Sequence, residues 1–249
     1  MDEAEAIVLL DRFESHLYQD LYLSRWSKEH ATEVVPELRR CFHCEHSEIL
    51  RRTLSALGRI GPEAQEAEAE VVALIDHDMP IVREAAVWTL GRICLRRPER
   101  AVPRLIEAAR DDTLLKPSLF ALIGFGPDAI AAIPLLLRTF ESTDGRLRLL
   151  ALRGIKEVHA EFDRVESVLR RGLVDRSKDV RRSTEKLIAG KWPTRLAELH
   201  RSASTPVVTG EEAFDDAITA SIAKLVGLAT EAMEEDRAGE TEDLDPEAL

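Results

Sequence analysis

Five stretches of this 249-residue chain can be stacked at a nearly constant step. ILRRTLSALGRIGPEA (49–64), IVREAAVWTLGRICLR (81–96) and LLKPSLFALIGFGPDA (114–129) align closely, and RLRLLALRGIKEVHAE (146–161) and DVRRSTEKLIAGKW (179–192) follow more loosely. Anchored on Leu57, Leu90, Ile123, Ile155 and Ile188, the steps are 33, 33, 32 and 33 residues. A unit of that size cannot enclose a core alone, so a fixed period of this kind means that copies shield their apolar sides by stacking. Each period holds two helical patterns. Val82, Ala86, Leu90 and Ile93 share one face of the second at helical spacing. The first helices contain VVPELRR, AVPRLIEAAR and AIPLLLRTF, which places Pro36, Pro103 and Pro134 at the first turn, where a missing N–H does no harm. Gly58, Gly91 and Gly124 recur at one point of the second helix. A glycine there costs about 1 kcal/mol against alanine, so its repetition predicts close packing between neighbouring copies.

LSALGRIGPEA, DHDMPIVREAAVWTLGRI and ALIGFGPDA together resemble the HEAT-repeat superfamily, in the short bacterial form also found as PBS-lyase-type repeats. The matching pattern is Asp and Pro in the inner turn, Val-Arg opening the second helix, then Ala-Ala and Leu-Gly. It runs over about residues 34–192, and the fourth and fifth copies depart from it, with Lys156 and Ala189 in place of glycine. The resemblance implies an all-α, right-handed α-solenoid of about five helical hairpins. Composition agrees: 45% hydrophobic residues with only 5% aromatic suit helices packed on helices.

The organisation expected is an N-terminal capping helix region (1–33), a repeat solenoid (34–200), a linker (201–210), an amphipathic helix (211–235) and an acidic disordered tail (236–249). Ile7, Leu10, Phe13, Leu17 and Leu21 give the first region an apolar stripe. In the fourth, TGEE supplies a capping box with Thr209 as N-cap. The two ends of a stack expose apolar faces, so terminal helices are expected to close them.

Charge is unevenly spread. The chain is −12 overall, yet residues 1–33 hold eight acids against three bases, and residues 231–249 nine against one. The repeats are therefore near neutral, and a pI near 5.2 argues against nucleic acid as the partner. An acidic start, where a signal peptide would be basic, and the lack of a long apolar run point to a cytoplasmic protein with no membrane partner. Within the repeats, Glu45, Asp78, Asp111 and Asp144 recur in the turn, and Arg83, Lys116, Arg148 and Arg181 at the start of the second helix. An acid in that turn can cap exposed N–H groups. The resemblance implies a structural ladder in which each base reaches the acid of the next copy. The other reading is a basic track that grips an acidic peptide or a phosphate backbone.

Residues 41–46 read CFHCEH. Stacked on the next copy, Cys41 falls at a core position and Cys44, His43 and His46 in the polar turn. Structural zinc takes four ligands, usually from two knuckles, and only one Cys-x-x-Cys is present. Cys41, Cys44 and His46 are thus weak metal candidates beside an ordinary turn. No catalytic cluster stands out, and no cofactor is implied. Trp88 lies half a turn away from the buried stripe, so it is expected either to pack against an Arg or a neighbouring helix or to stand exposed on the inner wall as a contact for a partner. The function expected is a non-enzymatic protein–protein interaction scaffold. It binds a protein or peptide on its concave surface through Arg51, Arg52, Arg83, Glu84, Trp88, Lys116, Arg148 and Arg181. Relatives by resemblance also include chromophore lyases and enzymes that excise damaged DNA bases, and a Cys/His metal module is a further alternative.

Overall fold

The computed structural model describes residues 1–19 and 29–203. Among them all regular structure is helical: α1 (Glu3–Gln19), α2 (Ala31–Arg40), α3 (Ser47–Ile60), α4 (Glu68–Ala73), α5 (Pro80–Ile93), α6 (Pro98–Ala108), α7 (Asp112–Gly124), α8 (Ile133–Phe140), α9 (Gly145–Glu157), α10 (Phe162–Leu173), α11 (Lys178–Lys191) and α12 (Pro193–Ala203). The chain divides into two units, Met1–His200 and Arg201–Leu249, and of the second only the end of α12 is described. The expected linker, amphipathic helix and acidic tail lie outside the described residues, as do Leu21 and Trp26.

The second helices α3, α5, α7, α9 and α11 pack in series, each against the next. The first helices form a parallel row, α2 against residues 61–67, α6 against residues 126–132, and α8 against α10. This is an all-α solenoid of five hairpins, as the period implied. Its five anchors Leu57, Leu90, Ile123, Ile155 and Ile188 are all buried, as are Val82, Ala86, Leu90 and Ile93 of α5. One apolar core runs through the whole stack. Most hydroxyls that enter that core are bonded: Thr89 donates from α5 to the Leu54 carbonyl of α3 at 2.9 Å, whereas the buried Ser118 hydroxyl has no partner among the described residues. α1 packs on α3 through Ala6, Leu10 and Phe13, while Ile7 is 37% exposed. Leu10 and Phe13 thus lie on the face read in sequence, while at its start Ala6, four residues before Leu10, is buried in place of Ile7.

First helices come in two forms. In the second and fourth hairpins a Gly-Pro pair opens a 3-10 segment, Gly61–Ala67 or Gly126–Ala132, before the α-helix begins. Gly61 and Gly126 have φ of 77° and 57°, a region that favours glycine. The third and fifth hairpins have a single α-helix instead. Pro134 lies in the first turn of α8. Pro36 and Pro103 do not: each is the sixth residue of its helix, one turn further in. α2 and α6 start earlier than the proline suggested, and each forgoes one backbone hydrogen bond there.

The recurring glycines separate by contact. A Cβ on Gly58 would collide with the Trp88 ring of the next hairpin, and one on Gly91 would lie 2.6 Å from Ala121 Cβ. Gly124 has nothing within 4 Å of that position. In the fourth hairpin, where Lys156 replaces the periodic glycine, the tight contact belongs to Gly154, against Leu136. We expect Gly91→Ala to lower unfolding free energy by about 1–3 kcal/mol through overpacking, and Gly124→Ala to raise it by up to ~1 kcal/mol through helix propensity. Urea denaturation of the two variants checks both signs.

Candidate functional site

The turn preceding each second helix fixes where its charges stand. α7 and α9 start at acidic N-caps: Asp111 Oδ1 accepts from Thr113 N at 2.8 Å, and Asp144 Oδ1 from Arg146 N at 2.8 Å. These bonds satisfy donors that a helix start leaves open. Thr113, bonding through both its hydroxyl and its N–H, holds the Asp111 carboxyl below the usual carboxylate range. Asp78 precedes the N-cap residue Met79 by one position, and Glu45 likewise precedes His46. Neither makes an ion pair within 4.0 Å among the described residues.

The bases are used unequally. Arg83 reaches across to the next hairpin, with Nη2 3.6 Å from Asp111 Oδ2, and donates to the carbonyls of His77 and Asp78 at 3.3 Å. Arg148 does so in full: Nε and Nη2 donate to Asp175 at 2.7 and 2.8 Å, and Nη1 donates to the Ser142 and Thr143 carbonyls. The two side chains are only 7% and 8% exposed. Arg181 donates to the Asp175 carbonyl at 2.5 Å. Asp175, which holds this joint, escaped the periodic reading because the position 33 after Asp144 is Ser177, the N-cap of α11, and Asp175 lies two residues before it. Its pairing with Arg148 and its capping of Ser177 N were visible only in three dimensions. Lys116 pairs with no acid within 4.0 Å. Arg52 points away from the repeats ahead of it and binds Asp11 and Glu14 of α1 at 2.6 and 3.0 Å. Arg51 pairs within its own helix with Glu48 at 2.5 Å.

Two grooves lie between consecutive second helices. One, of about 460 Å³, is lined by Arg51, Ser55 and Arg59 of α3 and by Ile81, Glu84, Ala85 and Trp88 of α5. Three of the expected contacts, Arg51, Glu84 and Trp88, therefore meet here. The Trp88 ring lies across Gly58, carries the Arg92 guanidinium 5.6 Å from its centre, and remains 44% exposed. The other groove, of about 330 Å³, joins Lys116 and Phe120 of α7 to Arg146, Leu149 and Arg153 of α9. Arg59, Ile81, Phe120 and Arg153 were not singled out in sequence. The signal was available for two of them: Arg59 follows Arg51 at i+8, and Arg153 occupies the Trp88 position two copies on.

The larger pattern is electrostatic. The five second helices hold fifteen Lys and Arg against six Asp and Glu, whereas the first-helix segments hold eight against twelve. Arg59, Lys116, Arg146, Arg153, Arg182 and Lys186 are exposed, with no ion pair within 4.0 Å among the described residues. Near-neutral charge along the sequence thus resolves into a basic row and an acidic row.

Cys41 and Cys44 are both buried, Cys44 included, although its place in the turn suggested exposure. Burial pushes the Cys41 thiol up, and Cys94 up to about 12. His46 is exposed, with Nε2 4.0 Å from Glu3. Among the described residues no group of three or more His, Cys, Asp or Glu is arranged to hold a metal ion.

Against known proteins, the family model for HEAT repeats matches from α2 into α7. The match covers residues 31–116. Helical hairpins continue to α11, beyond the matched stretch. A crystal structure of an engineered protein from the Northeast Structural Genomics Consortium is similar over 82% of this chain and 97% of its own, at 17% identity and a TM-score of 0.49. No curated protein matches the sequence.

The Asp175 joint predicts a pH dependence. Burial raises its carboxyl, but the Arg148 and Ser177 hydrogen bonds outweigh burial and hold it below the usual range. A depressed folded pKa contributes stability that is fully present above the unfolded value, about 3.9, and is lost as pH falls through the folded one. We expect Asp175→Asn to cost about 3–5 kcal/mol at pH 7, by stranding the Arg148 charge. The gap from the native chain should shrink below about pH 4, as read by denaturant unfolding across pH.

Proposed function

We propose that this protein is an interaction module whose second-helix face takes an acidic protein segment, with an apolar side chain of that segment seated against Ile81 and Trp88. The observation that carries the reading is the row of unpaired cations broken by exposed apolar residues. Where a base has an acid nearby, as at Arg148, it serves the fold. Arg59, Lys116, Arg146 and Arg153 make no ion pair within 4.0 Å among the described residues, though Asp144 borders the same groove as the last three, so much of their charge is left for a ligand. Electrostatic complementarity of this sort speeds encounter and sets register, while a half-buried tryptophan in a groove is the residue type on which binding energy concentrates. HEAT repeats commonly serve as protein-interaction scaffolds, which fits this use. No bond is made or broken; recognition is by surface alone. Among the described residues no helix is long and apolar enough to cross a membrane.

A labelled glutamate-rich peptide carrying one central leucine tests the reading on the full chain. It should bind saturably and weaken as salt screens the contact. Arg59→Glu with Arg153→Glu should reduce affinity at least ~10-fold, and Trp88→Ala by a similar factor, about 1.4 kcal/mol or more. Equal binding by the charge-reversed variant, or tighter binding of a single-stranded oligonucleotide than of the peptide, would sink the proposal.

A further inference from the structure

At the end of α2 lies a group of side chains that neither the repeat stacking nor the second-helix face uses. Cys41 and Cys44 are joined by a 3-10 turn, closed where Cys44 N–H donates to the Cys41 carbonyl at 3.0 Å. Met1 rests on both. Its Sδ is 3.5 Å from Cys41 Sγ, and its carbonyl oxygen is 3.5 Å from Cys44 Sγ. Cys41 is fully buried and Cys44 is 8% exposed. The Met1 thioether thus touches Cys41, and Cys44 lies against the backbone carbonyls of Met1 and Asp2, where bulk water is largely excluded.

We propose that Met1, Cys41 and Cys44 form a binding site for one soft cation, Cu(I). Donor chemistry makes the choice. Thiolate and thioether sulfur select Cu(I) over hard ions, which want oxygen. Structural zinc takes four ligands, but His43, between the two cysteines, is exposed, and His46 faces Glu3. A cluster of two thiols and one thioether suits a metal content with three coordinating sulfurs. On binding, the cation replaces the two thiol protons, which pass to water, and no electron is transferred. Coordination to a cation deprotonates a thiol outright, so the burial that keeps Cys41 protonated in the free protein is offset by the metal's own charge. Met1, half-buried, is the donor that can move aside to admit the ion.

The test uses the full chain, anaerobically, with Cu(I) supplied as its acetonitrile complex and competed against a Cu(I) chelator. One equivalent should be retained. Cys44→Ser, at the turn and less disruptive than Cys41→Ser, should weaken affinity by more than ~10-fold, the lower end of what even outer-shell changes cause. Cys94→Ser should leave affinity unchanged, and helicity by circular dichroism should be native in both variants. Labelling a Met79→Leu/Met233→Leu chain with selenomethionine leaves Met1 as the one selenium atom, since the chain has three methionines. X-ray absorption should then show a copper–selenium distance. Equal affinity of native and Cys44→Ser chains, or copper bound without selenium in its shell, would overturn the site.

Discussion

Each second helix must be covered on both flanks by its neighbours, and nearly everything else in this molecule follows from that requirement. A single hairpin leaves an oily stripe in water; five in series bury it from Leu57 to Ile188 in one continuous core. Cover from both sides demands that helices approach closely, and small residues at the contact allow it, as Gly91 does against Ala121. It also dictates which face is left over. With two flanks against neighbouring second helices and one side against the first-helix row, each of α5, α7 and α9 has a single strip free to meet solvent. Residues placed on that strip are released from packing and can be chosen for other ends.

Charge is sorted along the same line. The acids of residues 61–76 tie neighbouring first helices through pairs such as Arg39 with Glu70 and Arg100 with Glu68. Most cations of the second helices have no such duty. Exposed pairs add little stability, so an excess of one sign on one face is hard to explain as reinforcement of the stack. It makes a surface with a field, and it does so in a chain whose total charge has the opposite sign.

Much of the architecture was legible because it is periodic. Leu57, Leu90, Ile123, Ile155 and Ile188 needed only their spacing to be placed in the core, and Trp88 only its offset from Leu90 to be placed outside it. What escaped the sequence is what depends on partners far along the chain. Arg52 looks like a wall residue until α1 presents Asp11 and Glu14 to it. Cys44 looks like a turn residue until Met1 lies over it. Asp175 stands two residues ahead of the N-cap Ser177, which is the residue that falls 33 after Asp144, so the period pointed to the wrong position. Pro36 and Pro103 misled by one turn, since a proline marks a helix start by preference rather than by necessity.

The seat of Trp88 has a bearing on how fast and how tightly anything could land there. Its ring lies flat on the bare backbone of Gly58 and beneath the Arg92 guanidinium, so folding has already frozen its rotamer. A visitor meets an aromatic ledge set before it arrives and has only its own motions to give up, so a guest already held in its bound shape would lose the least.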